Sequence, residues 1–276
     1  MSSSGAVRNG DAAISIRDVS MSYNGRRVLD GVSLDVHRGE TLVLLGGSGS
    51  GKTTLLKHVL GLAKPEAGSI TINGVDITSC SPSELGLIRR RIGVAFQAGA
   101  LFNSISVEEN VALPLRELTR LADSTIRLMV WMKLVAVGLP EAGPLFPPEL
   151  SGGMRKRAAV ARAMALDPEI LILDEPSAGL DPIVSAELDE LILFLKQSFG
   201  VTILVVTHEL ESAFRIADRV AMLYHGRLIA VDRKEKFKEN THPRIRQFLD
   251  RKPDAIPQVA AEEFIAAYMR DSKDEY

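Results

Sequence analysis

The sequence predicts an α/β fold in which buried strands form a central sheet. Short apolar runs alternate with longer helical patterns over residues 14–229. Two of the runs, residues 170–173 and 201–206, are almost uninterrupted, as expected for strands that are covered on both faces. A glycine-rich loop at residues 46–51 joins a further run to a helix that starts near Lys52.

The N-terminal part is rich in predicted strands. Residues 1–13 are small and polar and contain no apolar signal core, so they are predicted to be a disordered tail. The Asn73-Gly74 pair predicts a tight turn. The strand-length apolar runs of this part are residues 14–19, 32–36, 41–45, 69–72 and 92–96.

The middle of the chain differs, because residues from about 98 to 166 contain no convincing strand and several helical stretches, one of them at residues 123–138. We therefore predict a helical subdomain inserted into the α/β core. Strands return after it, with a helix at residues 183–199 between the two buried runs. Residues 233–276 are charged and irregular, and prolines separate short helical pieces there, so we predict a C-terminal extension.

Composition limits the classes of partner and compartment. The chain of 276 residues has a formal net charge of -2, which gives no general reason to expect nucleic acid as a partner. Cys80 is the only cysteine, so an internal disulfide is excluded and a reducing compartment is expected. The longest apolar runs are far shorter than the roughly 20 residues that span a bilayer. We expect a protein that is soluble by itself.

Residues 46–53 match the pattern G-x-x-x-x-G-K-[ST] of a phosphate-binding loop. Glycines at this spacing let backbone N–H groups converge on phosphate oxygens at a helix N-terminus, which carries about half a positive charge. Lys52 is expected to reach the β- and γ-phosphates, and the Thr53 hydroxyl to bind Mg²⁺. A glycine-rich turn is the alternative, but the strand before the loop and the helix after it favour phosphate binding. The nucleotide-binding residues predicted here are Gly46, Gly47, Ser48, Gly49, Ser50, Gly51, Lys52, Thr53 and Thr54.

Acidic residues and a histidine follow the two buried strands. Asp174 is predicted to hold Mg²⁺ through water, and Glu175 to polarise the water that attacks the γ-phosphate. Acidic strand ends are common at any solvent edge, so this prediction depends on the phosphate loop. His208 lies where ligand sites of open α/β sheets gather, which favours a contact with the γ-phosphate or water over a merely structural role.

Three further features give weaker signals. Gln97 ends a predicted strand where the helical subdomain begins, so it could join the metal ion to a moving element, or it could be an ordinary polar loop residue. Tyr23 lies beside a turn and could stack on a flat base, although a half-exposed strand tyrosine fits equally. Ser151, Gly152 and Gly153 follow a proline pair and start a helix with a bare backbone.

Taken in order, these segments resemble the nucleotide-binding subunit of ABC transporters over about residues 14–232. "GGSGSGKTT" is similar to its Walker A motif, "LSGGM" to its signature motif, "LILDEP" to its Walker B motif and "SAGLD" to its D-loop. Gln97 matches the Q-loop, His208 the switch histidine, and Tyr23 the adenine-stacking aromatic. The D-loop adds Asp181 to the nucleotide-binding residues, and Gln97 joins Thr53 and Asp174 as a metal ligand. The resemblance implies a P-loop NTPase core with an antiparallel β subdomain and an inserted helical subdomain, acting as an ATPase on ATP with Mg²⁺.

The resemblance also implies a head-to-tail dimer. In the family, the signature helix caps the γ-phosphate of an ATP molecule held by the partner's phosphate loop. Ser151 and the N–H groups of Gly152 and Gly153 would form this second anion site by the same physics as the first. The chain has Met154 where the family usually has glutamine and Gly47 where it usually has proline. The backbone donors remain, and a net hydrogen bond contributes only about 0.5–1.5 kcal/mol, so we expect a working ATPase.

Longer segments narrow the resemblance to one subfamily. "FQAGALFNSISVEENVALPLRE", "ELSGGMRKRAAVARAMALDPE", "DEPSAGLDPI" and "HPRIRQFLD" resemble the ATPases of Mce-associated lipid transport, which include the Mla phospholipid system and toluene-tolerance relatives. This implies a cytoplasmic ATPase attached to the inner membrane through an MlaE-like permease. It also implies a periplasmic MCE-domain protein and a small STAS-domain partner similar to MlaB.

Other interpretations remain open from the sequence. The same ATPase could serve a transporter of amino acids, metals or drugs. A soluble ATP-gated module acting on DNA or ribosomes is a third possibility, but the chain has one set of site motifs and no basic patch. The apolar residues of the C-terminal extension could pack on their own domain or on the partner copy; they are Ile245, Phe248, Leu249, Ile256, Val259, Phe264, Ile265 and Tyr268.

Overall fold

A computed structural model of the chain describes residues 12–97 and 99–253. Within these residues the chain forms two sheets, one antiparallel and one mainly parallel. The strands are β1 (Ala12–Tyr23), β2 (Arg26–His37), β3 (Thr41–Leu45), β4 (Ala67–Ile72), β5 (Val75–Asp76), β6 (Ile92–Ala95), β7 (Ile170–Asp174), β8 (Thr202–Thr207), β9 (Arg219–Tyr224) and β10 (Arg227–Arg233). The helices are α1 (Lys52–Val59), α2 (Pro82–Arg89), α3 (Val107–Leu118), α4 (Asp123–Ala136), α5 (Gly152–Ala163), α6 (Pro182–Phe199), α7 (Leu210–Ile216), α8 (Lys234–Lys238) and α9 (Pro243–Leu249).

The antiparallel sheet has the strand order β2-β1-β4-β5, which confirms the antiparallel β subdomain. Its first two strands are each 12 residues long, much longer than predicted. The strands continue beyond the predicted apolar runs through residues whose exposed side chains are polar, so the sequence contains no apolar signal there. In β1, a register shift between Ile16 and Val19, with Asp18 at positive φ, also interrupts the alternation of apolar and polar residues. The predicted N-terminal tail is two residues too long, because Ala12 and Ala13 belong to β1. The rest of that tail lies outside the described residues.

The mainly parallel sheet has the order β10-β9-β3-β8-β7-β6. Strands β9, β3, β8, β7 and β6 are parallel to one another, and β10 pairs antiparallel with β9. All side chains of β3 and β8 are buried, which confirms the prediction that the continuous apolar run of β8 is a strand covered on both faces. The sheet therefore carries β3 and its phosphate loop near its middle, flanked by β9 and β8.

Three helices, α3 to α5, occupy the segment that was predicted to be helical, and the described residues between 99 and 166 contain no strand. Helix α3 begins with a capping box, in which Ser106 accepts from the Glu109 N–H and Glu109 from the Ser106 N–H. Helices α4 and α6 match their predicted ranges closely. Among the described residues, no helix is long and apolar enough to cross a membrane.

The end of the parallel sheet was missed by sequence reasoning. Strands β9 and β10 form a hairpin whose turn residues, His225 and Gly226, both have positive φ. Histidine is an uncommon residue at such a turn, so the turn signal was weak.

The described residues divide into two compact units, of which the first ends at Phe237 and the second begins at Lys238. In that second unit, Arg246 donates to the Lys238 carbonyl and pairs with Asp250. The predicted apolar residues beyond Pro253 lie outside the described residues, so the role of the C-terminal extension stays a prediction.

Candidate nucleotide-binding site

Four neighbouring strands of the parallel sheet end at one edge and bring the predicted site residues there. Strand β3 leads into the phosphate loop, β8 ends at Thr207 before His208, β7 ends at Asp174, and β6 ends two residues before Gln97. Asp174 pairs with Val206, and the Glu175 N–H donates to the Val206 carbonyl at 2.8 Å. Motifs that are far apart in the chain therefore share one edge of the sheet.

The phosphate loop has the backbone geometry of an anion site. Gly49 and Gly51 both have positive φ, 73° and 108°, which side chains rarely adopt. Helix α1 begins directly after Gly51 and has neither a side-chain cap nor an acidic residue in its first turn. The N–H groups at this helix start are therefore suited to an external anion.

Segments distant in sequence hold the loop in place. The Gly226 N–H donates to the Ser50 carbonyl at 2.9 Å, and the Asp30 N–H donates to the Gly226 carbonyl at 2.9 Å. A Cβ atom at Gly51 would lie 2.9 Å from the Val28 carbonyl oxygen, so only glycine fits there. The loop is thus fixed between β2 and the turn that joins β9 to β10.

Lys52 lies buried at the start of α1, and its ammonium group points back into the loop. It donates to the carbonyl oxygens of Gly46 at 2.6 Å and Gly47 at 3.1 Å. Burial lowers the pKa of Lys52, while the carboxylates of Glu175 and Asp174 act in the opposite direction. A cation held by neutral carbonyls inside a loop of N–H groups fits the charge of a nucleotide phosphate.

Glu175 is oriented from several sides. Its backbone has a positive φ of 48°, and its side chain is almost fully buried. The carboxylate accepts a hydrogen bond from the Thr207 hydroxyl at 3.0 Å and lies 2.9 Å from Nδ1 of His208. The two residues predicted to act on water and the γ-phosphate are therefore in direct contact, with His208 the more exposed of the pair.

Asp174 has the electrostatics of a cation ligand. Burial and the neighbouring carboxylate of Glu175 raise its pKa, and Lys52 and Lys156 lower it in part. A divalent cation beside this pair would relieve their repulsion, so the residues fit Mg²⁺. The described residues contain no cluster of three His, Cys, Asp or Glu side chains that could hold a metal by themselves. In proteins, Mg²⁺ is commonly held by one or two protein oxygens together with phosphates and water.

Thr53, Thr54 and Gln97 lie beside these groups. The Thr53 side chain is exposed on the first turn of α1, and Thr54 is half-buried with its carbonyl accepting from Nδ1 of His58 at 2.7 Å. The Gln97 side chain is exposed. Their predicted roles toward Mg²⁺ and phosphate stay predictions.

The second predicted anion site lies at the start of α5. The hydroxyl of Ser151 caps this helix by accepting from the Met154 N–H at 3.2 Å, and the first turn contains no acidic residue. Gly152 is exposed, whereas Gly153 is buried against α6, where an added Cβ would lie 2.4 Å from Cγ1 of Val184. Gly153 is thus required for packing as well as for a bare helix start.

Asp181 and Tyr23 are the remaining residues that were predicted to contact the nucleotide. One carboxylate oxygen of Asp181 accepts from the N–H groups of Ile183 and Val184, so this residue is the N-cap of α6. Its role toward nucleotide stays a prediction. Tyr23 lies at the end of β1, opposite Arg26, and 44% of it is exposed, so its ring is accessible.

Sequence reasoning missed Lys156. Its ammonium group donates to the carbonyl oxygens of Gln97 at 2.5 Å and Glu175 at 3.0 Å. A lysine in a helix rich in basic residues is typical of a solvated face, so its pattern gave no sign of these contacts.

The chain is similar to proteins of known family. The ABC transporter family model matches residues 29–178. The chain is 45% identical over 238 residues to the probable ribonucleotide transport ATP-binding protein mkl of Mycobacterium leprae, covering 86% of this chain and 69% of that protein. It is 44% identical over 237 residues to the intermembrane phospholipid transport system ATP-binding protein MlaF of Escherichia coli, covering 86% of this chain and 88% of that protein.

A solved structure has the same fold. The dimeric ATP-binding cassette MJ0796, in a post-hydrolysis state bound to ADP and Pi, superposes with a TM-score of 0.74. It is 30% identical to this chain, and the match covers 80% of this chain and 98% of that one. Since the family model matches more than half of the sequence and close relatives align along most of it, the chain belongs to the ABC transporter family and is an ATPase of that family.

Proposed function

We propose that this chain is the ATP-hydrolysing subunit of a transporter that moves phospholipid across the bacterial envelope. The observation that carries the proposal is the similarity to Escherichia coli MlaF, which extends over 88% of that protein and is named for intermembrane phospholipid transport. The segments that resemble Mce-associated ATPases support the same assignment.

The geometry of the site suits hydrolysis of a nucleoside triphosphate. The phosphate loop and Lys52 bind the β- and γ-phosphates through N–H groups and one ammonium charge. Glu175 accepts the proton of the attacking water, since its carboxylate lies at the strand end next to the loop. His208 holds that carboxylate in position and is exposed enough to turn toward the γ-phosphate.

Mg²⁺ fits this site through oxygen ligands. The Thr53 hydroxyl and the Asp174 carboxylate are the residues that would hold it, with Gln97 as a third ligand. Bound there, the ion would neutralise charge that develops on the phosphate oxygens. The Gln97 carbonyl accepts a hydrogen bond from Lys156 of α5, so this residue would link the metal position to the helical segment.

A second copy of the chain completes each site in this proposal. The helix start at Ser151 and Gly152 lacks a lysine of its own and has no acidic residue in its first turn, which suits a phosphate supplied by another molecule. The dimeric state of MJ0796 with bound ADP and Pi supports the arrangement. ATP favours the closed dimer only through its higher affinity for that state.

The permease partner would contact the chain beside Gln97. Phe96 directly precedes Gln97 in the chain, Phe102 follows later in the same loop, and both are exposed, 39% and 53%, so they are the apolar side chains that we propose contact a short helix of an MlaE-like permease. We place the chain on the cytoplasmic face of the inner membrane through that contact. An MCE-domain protein and an MlaB-like STAS-domain protein complete the proposed complex.

The mycobacterial relatives, named for ribonucleotide transport, favour a second candidate cargo. Sequence identity does not separate the two candidates, because the chain is 45% identical to the mycobacterial protein and 44% identical to MlaF. Coverage separates them, since the aligned region spans 88% of MlaF but only 69% of the mycobacterial protein. We therefore favour phospholipid.

Reconstitution distinguishes the two cargoes. The complex purified from membranes with this chain is placed in liposomes that contain a fluorescent phospholipid on one side and radiolabelled ribonucleotide on the other. ATP-dependent movement of the phospholipid, abolished by Glu175→Gln, is expected. Movement of ribonucleotide without phospholipid would overturn the proposed cargo and leave the ATPase assignment intact.

A further inference from the structure

Lys156 connects three segments of the site. It lies on the second turn of α5, beyond the helix start at Ser151. Its Nζ atom donates to the carbonyl oxygen of Gln97 at 2.5 Å and to that of Glu175 at 3.0 Å. One side chain of α5 thus holds the backbone at two of the predicted site residues, which lie 19 and 59 positions away in the chain.

The environment of this ammonium group indicates a specific role. Lys156 is half-buried, and burial lowers its pKa while the carboxylates of Glu175, Asp174 and Glu209 act in the opposite direction. Both of its hydrogen bonds go to neutral carbonyl oxygens. Among the described residues Lys156 forms no ion pair in direct contact, so its positive charge acts on the nearby carboxylates through space.

The backbone of Glu175 needs such support. This residue has a positive φ, a conformation that is unfavourable for residues with a side chain and persists where surrounding contacts enforce it. Its N–H donates to Val206, its carboxylate is bonded by Thr207 and faces His208, and its carbonyl accepts from Lys156. Lys156 supplies the constraint on the carbonyl side.

We infer that Lys156 is a positioning residue for ATP hydrolysis: its two hydrogen bonds hold the backbone of Glu175 and of Gln97 in fixed positions relative to α5. The inference rests on the proposed ATPase role of Glu175. Lys156 itself need not contact ATP. Loss of its charge and its two hydrogen bonds should therefore impair the chemical step more than ATP binding.

The test compares four full-length proteins within the purified complex: wild type, Lys156→Met, Lys156→Arg and Lys64→Met. Lys64 is an exposed lysine between α1 and β4 and is the matched control for removal of a positive charge. We expect Lys156→Met to lower kcat by about tenfold or more, the effect of losing charge-assisted hydrogen bonds, with KM for ATP within about twofold. Lys156→Arg should restore most of kcat because guanidinium can donate to both carbonyls, and Lys64→Met should match wild type.

A second measurement keeps the test decisive if Lys156→Met reduces folding. Lys156→Gln keeps a hydrogen-bond donor but removes the charge. The double variant with Lys156→Gln and Glu175→Gln should form an ATP-dependent dimer at the same ATP concentration as the Glu175→Gln variant alone, measured by light scattering, because Lys156 is not needed for ATP binding. Wild-type kcat in Lys156→Met, or a loss of kcat that Lys156→Arg does not restore although it folds normally, would overturn the inference. Such a result would leave phospholipid transport standing, whereas wild-type hydrolysis without lipid movement would refute only the proposed cargo.

Discussion

Replacing Gly153 by alanine tests how closely α5 packs against α6, and replacing Gly152 provides the matched comparison. An added Cβ at Gly153 would lie 2.4 Å from Cγ1 of Val184, more than 1 Å inside the roughly 3.5–4.0 Å at which carbon atoms attract each other. At Gly152 the nearest atom would be Cδ2 of Leu180 at 3.4 Å, an ordinary contact with a flexible side chain. Valine has one strongly preferred χ1 rotamer in a helix, so Val184 has little freedom to move aside.

The expected difference follows from this geometry. Both substitutions replace a helical glycine in the same first turn, so their shared gain in helix propensity largely cancels in the comparison. The remaining difference is the overpacking at Val184, about 1–3 kcal/mol in favour of Gly152→Ala. For a chain of this size, each 1 kcal/mol corresponds to about 2–4 °C in Tm.

Urea denaturation and thermal melts of the two variants and wild type provide the measurement. Gly153→Ala should unfold at a lower urea concentration than Gly152→Ala, with an unchanged slope of free energy against urea. Equal midpoints for the two variants would refute the packing of Gly153 against Val184. ATPase activity separates the two roles, because Gly152→Ala should fold well and still lose activity if its added methyl group blocks the approach of a phosphate of the partner site to this helix start.

Three further predictions follow from single contacts. Glu175→Gln should keep ATP binding, reduce hydrolysis by about 10²–10⁴-fold and trap an ATP-bound dimer visible by light scattering; hydrolysis at the normal rate would contradict its role as general base. Met154→Gln should leave ATPase activity within about threefold, since the bond from its N–H to Ser151 is a backbone contact that any residue retains; a total loss would show a mechanical role for the side chain. Burial raises the pKa of Asp189 in the folded protein, so ionisation of this residue lowers the free energy of unfolding as pH rises from its unfolded to its folded pKa. Asp189→Asn carries no charge and can accept the same hydrogen bond from Ser212. This variant should therefore become increasingly more stable than wild type as pH rises above about 4. A difference in urea midpoint that does not change with pH would contradict this account of Asp189.

The sequence predicts the ends of buried strands well because their chemistry is local. A run of apolar residues followed by Glu175, by His208 or by the loop that leads to Lys52 marks both the strand and the residue that is predicted to be functional near its end. The order of the strands is set by long-range pairing, which no local pattern encodes, so the contact between Glu175 and His208 emerges only from the structure. Fold class is predictable here and the network within the site is not.

Other residues show what local patterns leave out. Asp181 belongs to a motif that suggests nucleotide binding, and its carboxylate also caps α6, a use that the following Pro182 at the first helical position indicates. Lys156 has the appearance of a surface lysine because its partners are backbone carbonyls, which leave no trace in the sequence. The hairpin of β9 and β10 was not predicted from the sequence because His225 occupies a turn position that asparagine or glycine usually takes.

The bond from Gly226 to the carbonyl of Ser50 has a consequence for biosynthesis. Every phosphate-loop residue leaves the ribosome early, but the turn that fixes the loop is translated near the end of the domain. A nascent chain that has emerged only through Gly179 contains the phosphate loop and Val28 but lacks Gly226, so the loop is not yet held from both sides. The geometry of the phosphate loop should thus become fixed late in synthesis, after the last strands have joined the sheet.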